Sequence, residues 1–327
     1  MTTFKEIRGT LIKSLSSDPS PAATGEMWYN STSQTLKGVV LTGAWSSGGS
    51  LSTARNTIAG AGIQTAALMI GGNNPGATQK ANVEEYNGSS YSEINDLNTA
   101  RSQSGAAGTT SAAVAFGGDV YPTSPRDTGA TEEYNGSSWS EQNDLGTVRR
   151  SLVGLGTQTA ALGAGGFTTT AVNNVEEYNG SSWTAVNVLP TVKSSFGGAG
   201  IQTSALTFAG LTPSVVATSE EYDGTNWTTG GTMNTARSGV GRGSTGTQNA
   251  CLAFGGIIPS PGAASNLNEQ YDGTSWSVQP TLSTARREGG AAGTSIAALY
   301  SGGASPTYVA VTEEFSLAGS TKTFTTS

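Results

Sequence analysis

An apolar run ending in a pair of small residues occurs six times in this chain, and that recurrence restricts the fold more than any other feature. The pairs are Gly71-Gly72, Gly117-Gly118, Gly165-Gly166, Ala209-Gly210, Gly255-Gly256 and Gly302-Gly303, spaced 44 to 48 residues apart. An acidic-aromatic element follows each pair: Glu84-Glu85-Tyr86, Glu132-Glu133-Tyr134, Glu176-Glu177-Tyr178, Glu220-Glu221-Tyr222, Glu269-Gln270-Tyr271 and Glu313-Glu314-Phe315. Five residues after the first five of these aromatics stands a second one: Tyr91, Trp139, Trp183, Trp227 and Trp276. A Thr-x-Arg element opens each unit, at Arg55, Arg101, Arg149, Lys193, Arg237 and Arg286.

Each unit reads as four strands. Strand A is small and Gly-rich, as in Ser102 to Gly108, and strand B is apolar, as in Ser111 to Phe116. Strand C holds the Glu-Glu-Tyr, and strand D begins at the Trp. The Asn-Gly and Asp-Gly turns between C and D are expected to supply the positive φ of a tight hairpin. Helical periodicity is absent. Four strands per unit of this length predict an all-β fold, a six-bladed β-propeller. A bulky aromatic and four turns in every unit favour blades over a solenoid of stacked strands.

This order of Gly pair, Tyr, Trp and Thr-Ala-Arg resembles the kelch repeat, over about residues 36 to 315. The Tyr-to-Trp gap is one residue shorter than in that family, which implies a tighter C–D turn. The resemblance implies a kelch-like propeller over 36–327 after a short extended N-terminal leader, 1–35. The last unit lacks a Trp five residues after Phe315, while Trp45 stands before the first Thr-x-Arg. A strand around Trp45 is therefore expected to complete the last blade. The competing reading closes that blade with Phe324.

Positions that recur six times are read as framework. The Trp and Tyr slots are expected between blades. The Glu-Glu pairs look like a catalytic dyad, but a dyad is needed once, and neighbours on a strand face opposite ways. Pairing with the Thr-x-Arg cations in an interblade ring is the expected role. Cys251 aligns with Ala67, Ala113, Ala161, Ala205 and Ala298, so it fills a small buried slot.

Composition narrows the function. A net charge of −7 gives no basic footprint for nucleic acid. The chain has no histidine, which removes the commonest general base and metal ligand together. One cysteine forbids an internal disulfide. Residues 1–17 carry scattered apolar side chains but no apolar run, so neither a secretory signal nor membrane insertion is expected. Copper radical oxidases built on kelch repeats need histidine ligands. Asp223-Gly224-Thr225-Asn226-Trp227 resembles a sialidase Asp box only loosely, its Asp lying beside the Gly. No Walker, zinc or calcium motif appears. No catalytic residue, metal site or cofactor is assigned, and the chain is expected not to be an enzyme.

The A–B and C–D turns share one face of a propeller and are near-uniform here, as in Gly62-Ile63-Gln64-Thr65 and Gly200-Ile201-Gln202-Thr203. The B–C loops, which share the other face with the D–A linkers, differ in length and content: 73–82, 119–131, 167–174, 257–268 and 304–312. This varied face is the expected ligand surface. Tyr121, Phe167 and Tyr308 are read as aromatic platforms, and Asn73, Asn74, Arg126 and Asp127 as hydrogen-bonding groups, a mixture suited to a glycan. Drift of unconstrained loops is the plainer reading. Arg150, Arg287, Glu288 and Arg242, the last beside a two-residue insertion in the fifth unit, break the repeat pattern near the expected channel mouth. They are candidates to line a central site, against the plainer reading of solvated charges.

Residues 25–45 combine Gly, Trp-Tyr-Asn-Ser, Leu-Lys and Gly-Ala-Trp, and resemble a hairpin of bacteriophage tail-fibre and structural proteins. The resemblance implies a virion protein assembled in the host cytoplasm. Residues 1–35 would dock to other virion proteins, and the propeller would act as a tail- or fibre-associated adhesin for a host surface glycan. Two alternatives remain: a capsid or tail decoration protein with a structural role, and an intracellular kelch module that binds a protein partner. A homo-oligomer is compatible with the sequence.

Overall fold

The computed structural model describes residues 12–23, 25–76, 78–259 and 262–324. They fall into two compact units, one from 12–44 with 316–324 and the other Trp45–Phe315. The first unit takes in residues 36–44 and 316–324, which the sequence reading placed with the propeller.

The larger unit is a six-bladed β-propeller of antiparallel sheets. The first blade runs Ala59–Ile63, Ala66–Ile70, Val83–Tyr86, Tyr91–Ile94, and the second Gly105–Gly108, Ala113–Phe116, Thr131–Tyr134, Trp139–Gln142. The third runs Val153–Thr157, Ala160–Phe167, Ala171–Tyr178, Trp183–Val186, and the fourth Gly197–Ile201, Ser204–Phe208, Ser219–Tyr222, Trp227–Thr229. The fifth runs Gly246–Thr247, Ala250–Phe254, Asn268–Tyr271, Trp276–Gln279. The sixth uses Gly290–Gly293, Ala297–Ser301 and the start of Thr312–Phe324, with the end of Thr35–Gly48 as its outermost strand. Trp45 Nε1 donates to the Pro280 carbonyl at 2.9 Å. Trp139, Trp227 and Trp276 bond the preceding blade in the same way, at Asn95, Asn187 and Gly231. Phe324 lies in the other unit, beside Gly38.

The strand chemistry follows from position. First strands crowd the axis, where backbone meets backbone. A Cβ on Gly60 would sit 2.1 Å from the Ala291 carbonyl oxygen, so no other residue fits there. Second strands are buried on both sides and read as continuous apolar runs, as in Ala113–Phe116. Aromatics bind the blades together: Phe116 packs on Trp183, Phe208 on Trp276 and Phe254 on Trp45, with ring centroids 4.5, 5.1 and 5.2 Å apart.

The paired acids have two separate duties. The first acid of each pair meets the cation of its own unit: Arg55–Glu84, Arg101–Glu132, Arg149–Glu176, Lys193–Glu220, Arg237–Glu269 and Arg286–Glu313. All twelve side chains are at most 4% exposed, so these charges survive burial only because each is paired. The guanidinium also caps backbone carbonyls, Gly71 and Asn82 in the case of Arg55. The expected interblade ring is thus corrected: each pair ties the incoming linker to the third strand of its own blade. The second acid faces the other way and does cross between blades. Tyr222 Oη donates to Glu177 at 2.9 Å, and Tyr271 Oη to Glu221 at 2.6 Å.

The turns differ from expectation in one respect. At the C–D turn only the glycine has positive φ, +91° at Gly88. Asn87 contributes through its side chain, whose Oδ1 accepts from the amides of Ser89 and Ser90 at 3.0 Å.

The six linkers form a closed ring of backbone hydrogen bonds. The amide of Thr57 donates to the carbonyl of Glu288 (2.6 Å), Glu288 to Gly239 (2.8 Å) and Gly239 to Ser195 (2.7 Å). Ser195 continues to Ser151 (3.1 Å), Ser151 to Gln103 (2.8 Å) and Gln103 back to Thr57 (3.1 Å). All six residues are left-handed, with φ between +52° and +59°.

In the smaller unit Met27–Asn30 pairs antiparallel with 35–38 and Lys13–Leu15 lies parallel to 28–30. Asp18 fastens this sheet by accepting from Trp28 Nε1 (2.9 Å), Asn30 Nδ2 (2.7 Å) and Lys37 Nζ (2.7 Å). Of the leader read as extended, Lys13–Leu15 and Met27–Asn30 form strands of this sheet with bends and turns between them, whereas 1–11 lie outside the described residues.

Candidate functional site

Two faces of the propeller differ in how their loops are held. On the A–B face, glutamines in four of the six turns staple their blade to the one before. Gln158 Nε2 donates to the carbonyls of Ala113 (3.2 Å) and Tyr134 (2.7 Å), and Gln64, Gln202 and Gln248 repeat the arrangement. The uniformity of those turns is therefore structural.

On the opposite face each linker bridges the start of its own B–C loop, at Asn56–Asn73, Ser102–Asp119, Arg150–Phe167, Ser194–Leu211, Ser238–Ile257 and Arg287–Ala304. Beyond these bridges the loops diverge. In the first, Asn73 and Asn74 pair with Thr78–Gln79 in a small ribbon. The Asn74 amide sits 3.2 Å from both the Thr78 carbonyl and the Lys80 ammonium, so its hydrogen bonds are made within the loop.

The second loop is organised by Asp119, which the sequence reading did not single out. Its buried carboxylate accepts from the Tyr121 amide (2.9 Å), Gln79 Nε2 (3.2 Å) and Arg126 Nε (2.7 Å). The hydrogen bond to Asp119 pushes the Arg126 pKa up. Arg126 lies 5.8 Å from the Tyr121 ring centroid, and Tyr121 is 54% exposed, the one freely presented platform of the three aromatics.

Asp127 forms a salt bridge with Arg150, which leaves the second loop for the third. The Arg150 guanidinium lies 4.7 Å from the centroid of Phe167 and covers part of that half-buried ring. The structure thus joins Arg126, Asp127, Arg150 and Phe167 in one connected surface across two blades. Tyr308 stands apart, half-buried, lining a shallow basin of about 600 Å³ with Pro75, Gly76 and Thr307.

Phe167 also lines a groove of about 450 Å³ between the third and fourth blades. Its apolar walls are Phe167, Val192, Leu211 and Pro213, and its polar groups are Thr169, Thr170 and Ser194. Val192 and Leu211 are 42% and 37% exposed. Leu211 and Pro213 belong to the fourth B–C loop, which the sequence reading passed over. Two exposed branched residues bordering a loop were the available signal.

The other charges that break the repeat separate. Arg287 holds the sixth loop through its backbone, and Glu288 sits in the amide ring, accepting from Asn56 Nδ2 at 3.0 Å. Arg242 lies at the propeller axis. Cys251 is buried, and burial pushes its thiol pKa far up, as a framework position requires. Among the described residues no group of three or more His, Cys, Asp or Glu side chains is placed to hold a metal ion.

No protein-family model matches the sequence, and no curated protein is similar to it. Among solved structures the chain is similar to one described as the structure of YjhT, with a TM-score of 0.67 and 12% identity. The match covers 83% of this chain and 99% of that one, and at this identity the likeness is one of fold.

Proposed function

We propose that this chain is a non-enzymatic recognition module of a phage virion, associated with the tail or its fibres, that binds a host surface glycan through the B–C loop face. The observation that carries the reading is the groove beside Phe167. An apolar wall bordered by hydroxyls matches a sugar ring, which offers a C–H face and a rim of hydroxyl groups. Tyr121 and the Arg126–Asp127–Arg150 chain extend the same surface. The opposite face is taken up by interblade staples, and eleven of the 23 acids belong to the repeated pairs, which leaves little spare catalytic chemistry. The small N-terminal sheet would dock to other virion proteins.

Glycan-array binding of the intact chain tests the reading, with Phe167→Ala and Leu211→Asp beside it. Selective binding that both changes abolish, in proteins that melt like wild type, supports it. Absence of binding, with immunogold label spread over capsids, would favour a decoration role.

A further inference from the structure

The fifth blade breaks the pattern of the other five at the axis. Its first strand is reduced to Gly246–Thr247, and residues 241–245 run instead along the centre of the propeller. The Arg242 amide donates to Gly289 (2.9 Å), and its carbonyl accepts from Gly60 (3.0 Å) and Ala291 (2.8 Å). Ser244 bridges Gly198. This segment therefore plugs the channel against blades one, four and six.

The plug brings a guanidinium into the core. Arg242 is 5% exposed, and its Nε and Nη2 are buried without a hydrogen-bond partner among the described residues. Every Arg of the Thr-x-Arg series has a carboxylate; no salt bridge to Arg242 occurs among the described residues. Ser104 lines the same axial cavity, 2% exposed, and its Oγ is also unpartnered. The rest of the lining is Gly, Ala, Leu, Val and Phe. The cavity leaves about 10 Å³ open to the centre of a water-sized sphere, room for a single small particle.

We propose that this cavity is a binding site for one monatomic anion, chloride under ordinary conditions, held by Arg242 and Ser104. The charge decides between an anion and a water. A water would accept hydrogen bonds but leave the buried cation with only the Glu288 carboxylate, which acts on it through space without a salt-bridge contact, and a low-dielectric interior penalises so poorly paired a charge heavily. An anion accepts from both guanidinium N–H groups and from the hydroxyl, and needs no acceptor from an apolar wall. Sulfate and phosphate are too large for the space. The bound ion would fasten the plug at the axis.

Two measurements on the intact chain test this. Crystals grown in bromide should show one anomalous scattering peak in the cavity beside Arg242. In thermal unfolding at fixed ionic strength, replacing gluconate by chloride or bromide should raise the Tm in proportion to the logarithm of halide concentration. Sulfate should not produce this rise. Arg242→Met, which removes the cation, should lose the halide response and melt above wild type in gluconate; Ser104→Ala should weaken it. A cavity without an anomalous peak, together with wild-type melting that ignores halide, overturns the proposal. Should Arg242→Met fail to fold, the bromide peak and Ser104→Ala still decide.

Discussion

Tyr86 Oη donates to the Glu314 carboxylate at 2.6 Å, so the last blade is bonded to the first by the same contact that joins blades three to four and four to five. One seam lacks it. The sixth blade carries Phe315 in place of tyrosine, and the fifth carries Gln270 in place of glutamate. Hydroxyl and carboxylate are missing together, and the Gln270 amide donates to the Ser295 carbonyl at 3.1 Å instead. A half-buried carboxylate without its donor is costly, and the sequence contains none at this seam.

That pairing sets a double-variant test. Tyr86→Phe removes a hydrogen bond to a charged group and should cost about 1.5–3 kcal/mol in urea unfolding. Glu314→Gln should be similarly harmful. The double variant copies the Gln270–Phe315 seam, so its loss should fall short of the sum of the single losses by about 1 kcal/mol or more. Additive losses would show that the two groups do not interact in solution.

The buried ion pairs should be the least tolerant positions in the chain. Arg101→Met leaves Glu132 charged and unpaired in the interior, and the expected loss is about 3–5 kcal/mol. Glu141→Gln, an exposed acid on the outer strand of the same blade, should stay within about 0.5 kcal/mol. Chemical denaturation of the two variants beside wild type checks the contrast.

Tyrosine ionisation should limit alkaline stability. Burial, followed by the neighbouring Glu314, pushes the Tyr86 hydroxyl from 10.0 up to about 12, and burial with Glu221 does the same for Tyr271. Raised values mean that the native state holds these protons more tightly. Their stabilisation is complete below pH 10.0 and disappears as pH climbs toward about 12. The part of the tyrosinate absorbance that Tyr86→Phe and Tyr271→Phe remove should therefore appear together with the change in circular dichroism in that window. That part appearing before the structure is lost would contradict this. In acid, Asp18 is held down at about 2, chiefly by its hydrogen bond to Lys37. Its contribution to the small N-terminal sheet should be lost as pH falls from 3.8 toward 2, read by Trp28 fluorescence.

Replacing Tyr121, Phe167 and Tyr308 together by alanine should abolish attachment to host cells while the propeller still folds. Tyr121 is largely exposed, Tyr308 lies in a loop ribbon, and Phe167 is the half-buried last residue of its blade strand, so a modest drop in Tm is expected. Unchanged attachment by this variant would remove the B–C face from consideration.

The propeller was legible because repetition multiplies a weak signal: one Gly pair means little, but six in register with Glu-Glu-Tyr and Trp leave few folds. The split duty of the two acids was half visible. Strand alternation sends Glu84 and Glu85 to opposite faces, but it does not say that Glu84 meets Arg55 of its own unit while Glu314 meets Tyr86 of the next. The groove beside Phe167 was less legible, because Val192 sits within a Thr-x-Lys element that reads as framework. Asp119 was hidden for a similar reason. It follows the Gly pair, where a loop residue attracts no notice, and only the folded loop turns Gln79, Tyr121 and Arg126 toward it.

The circle of amides through Thr57, Gln103, Ser151, Ser195, Gly239 and Glu288 has no first or last member. In an open stack of repeats, duplication of one unit lengthens the array and leaves every existing contact intact. Here a seventh unit would have to break the circle and force the left-handed linkers to a new angle, and loss of a unit would strand one donor and one acceptor. Copy number is thereby held constant in a chain whose repeated sequence invites unequal recombination. Variation is left to work on the lengths and side chains of loops, one blade at a time.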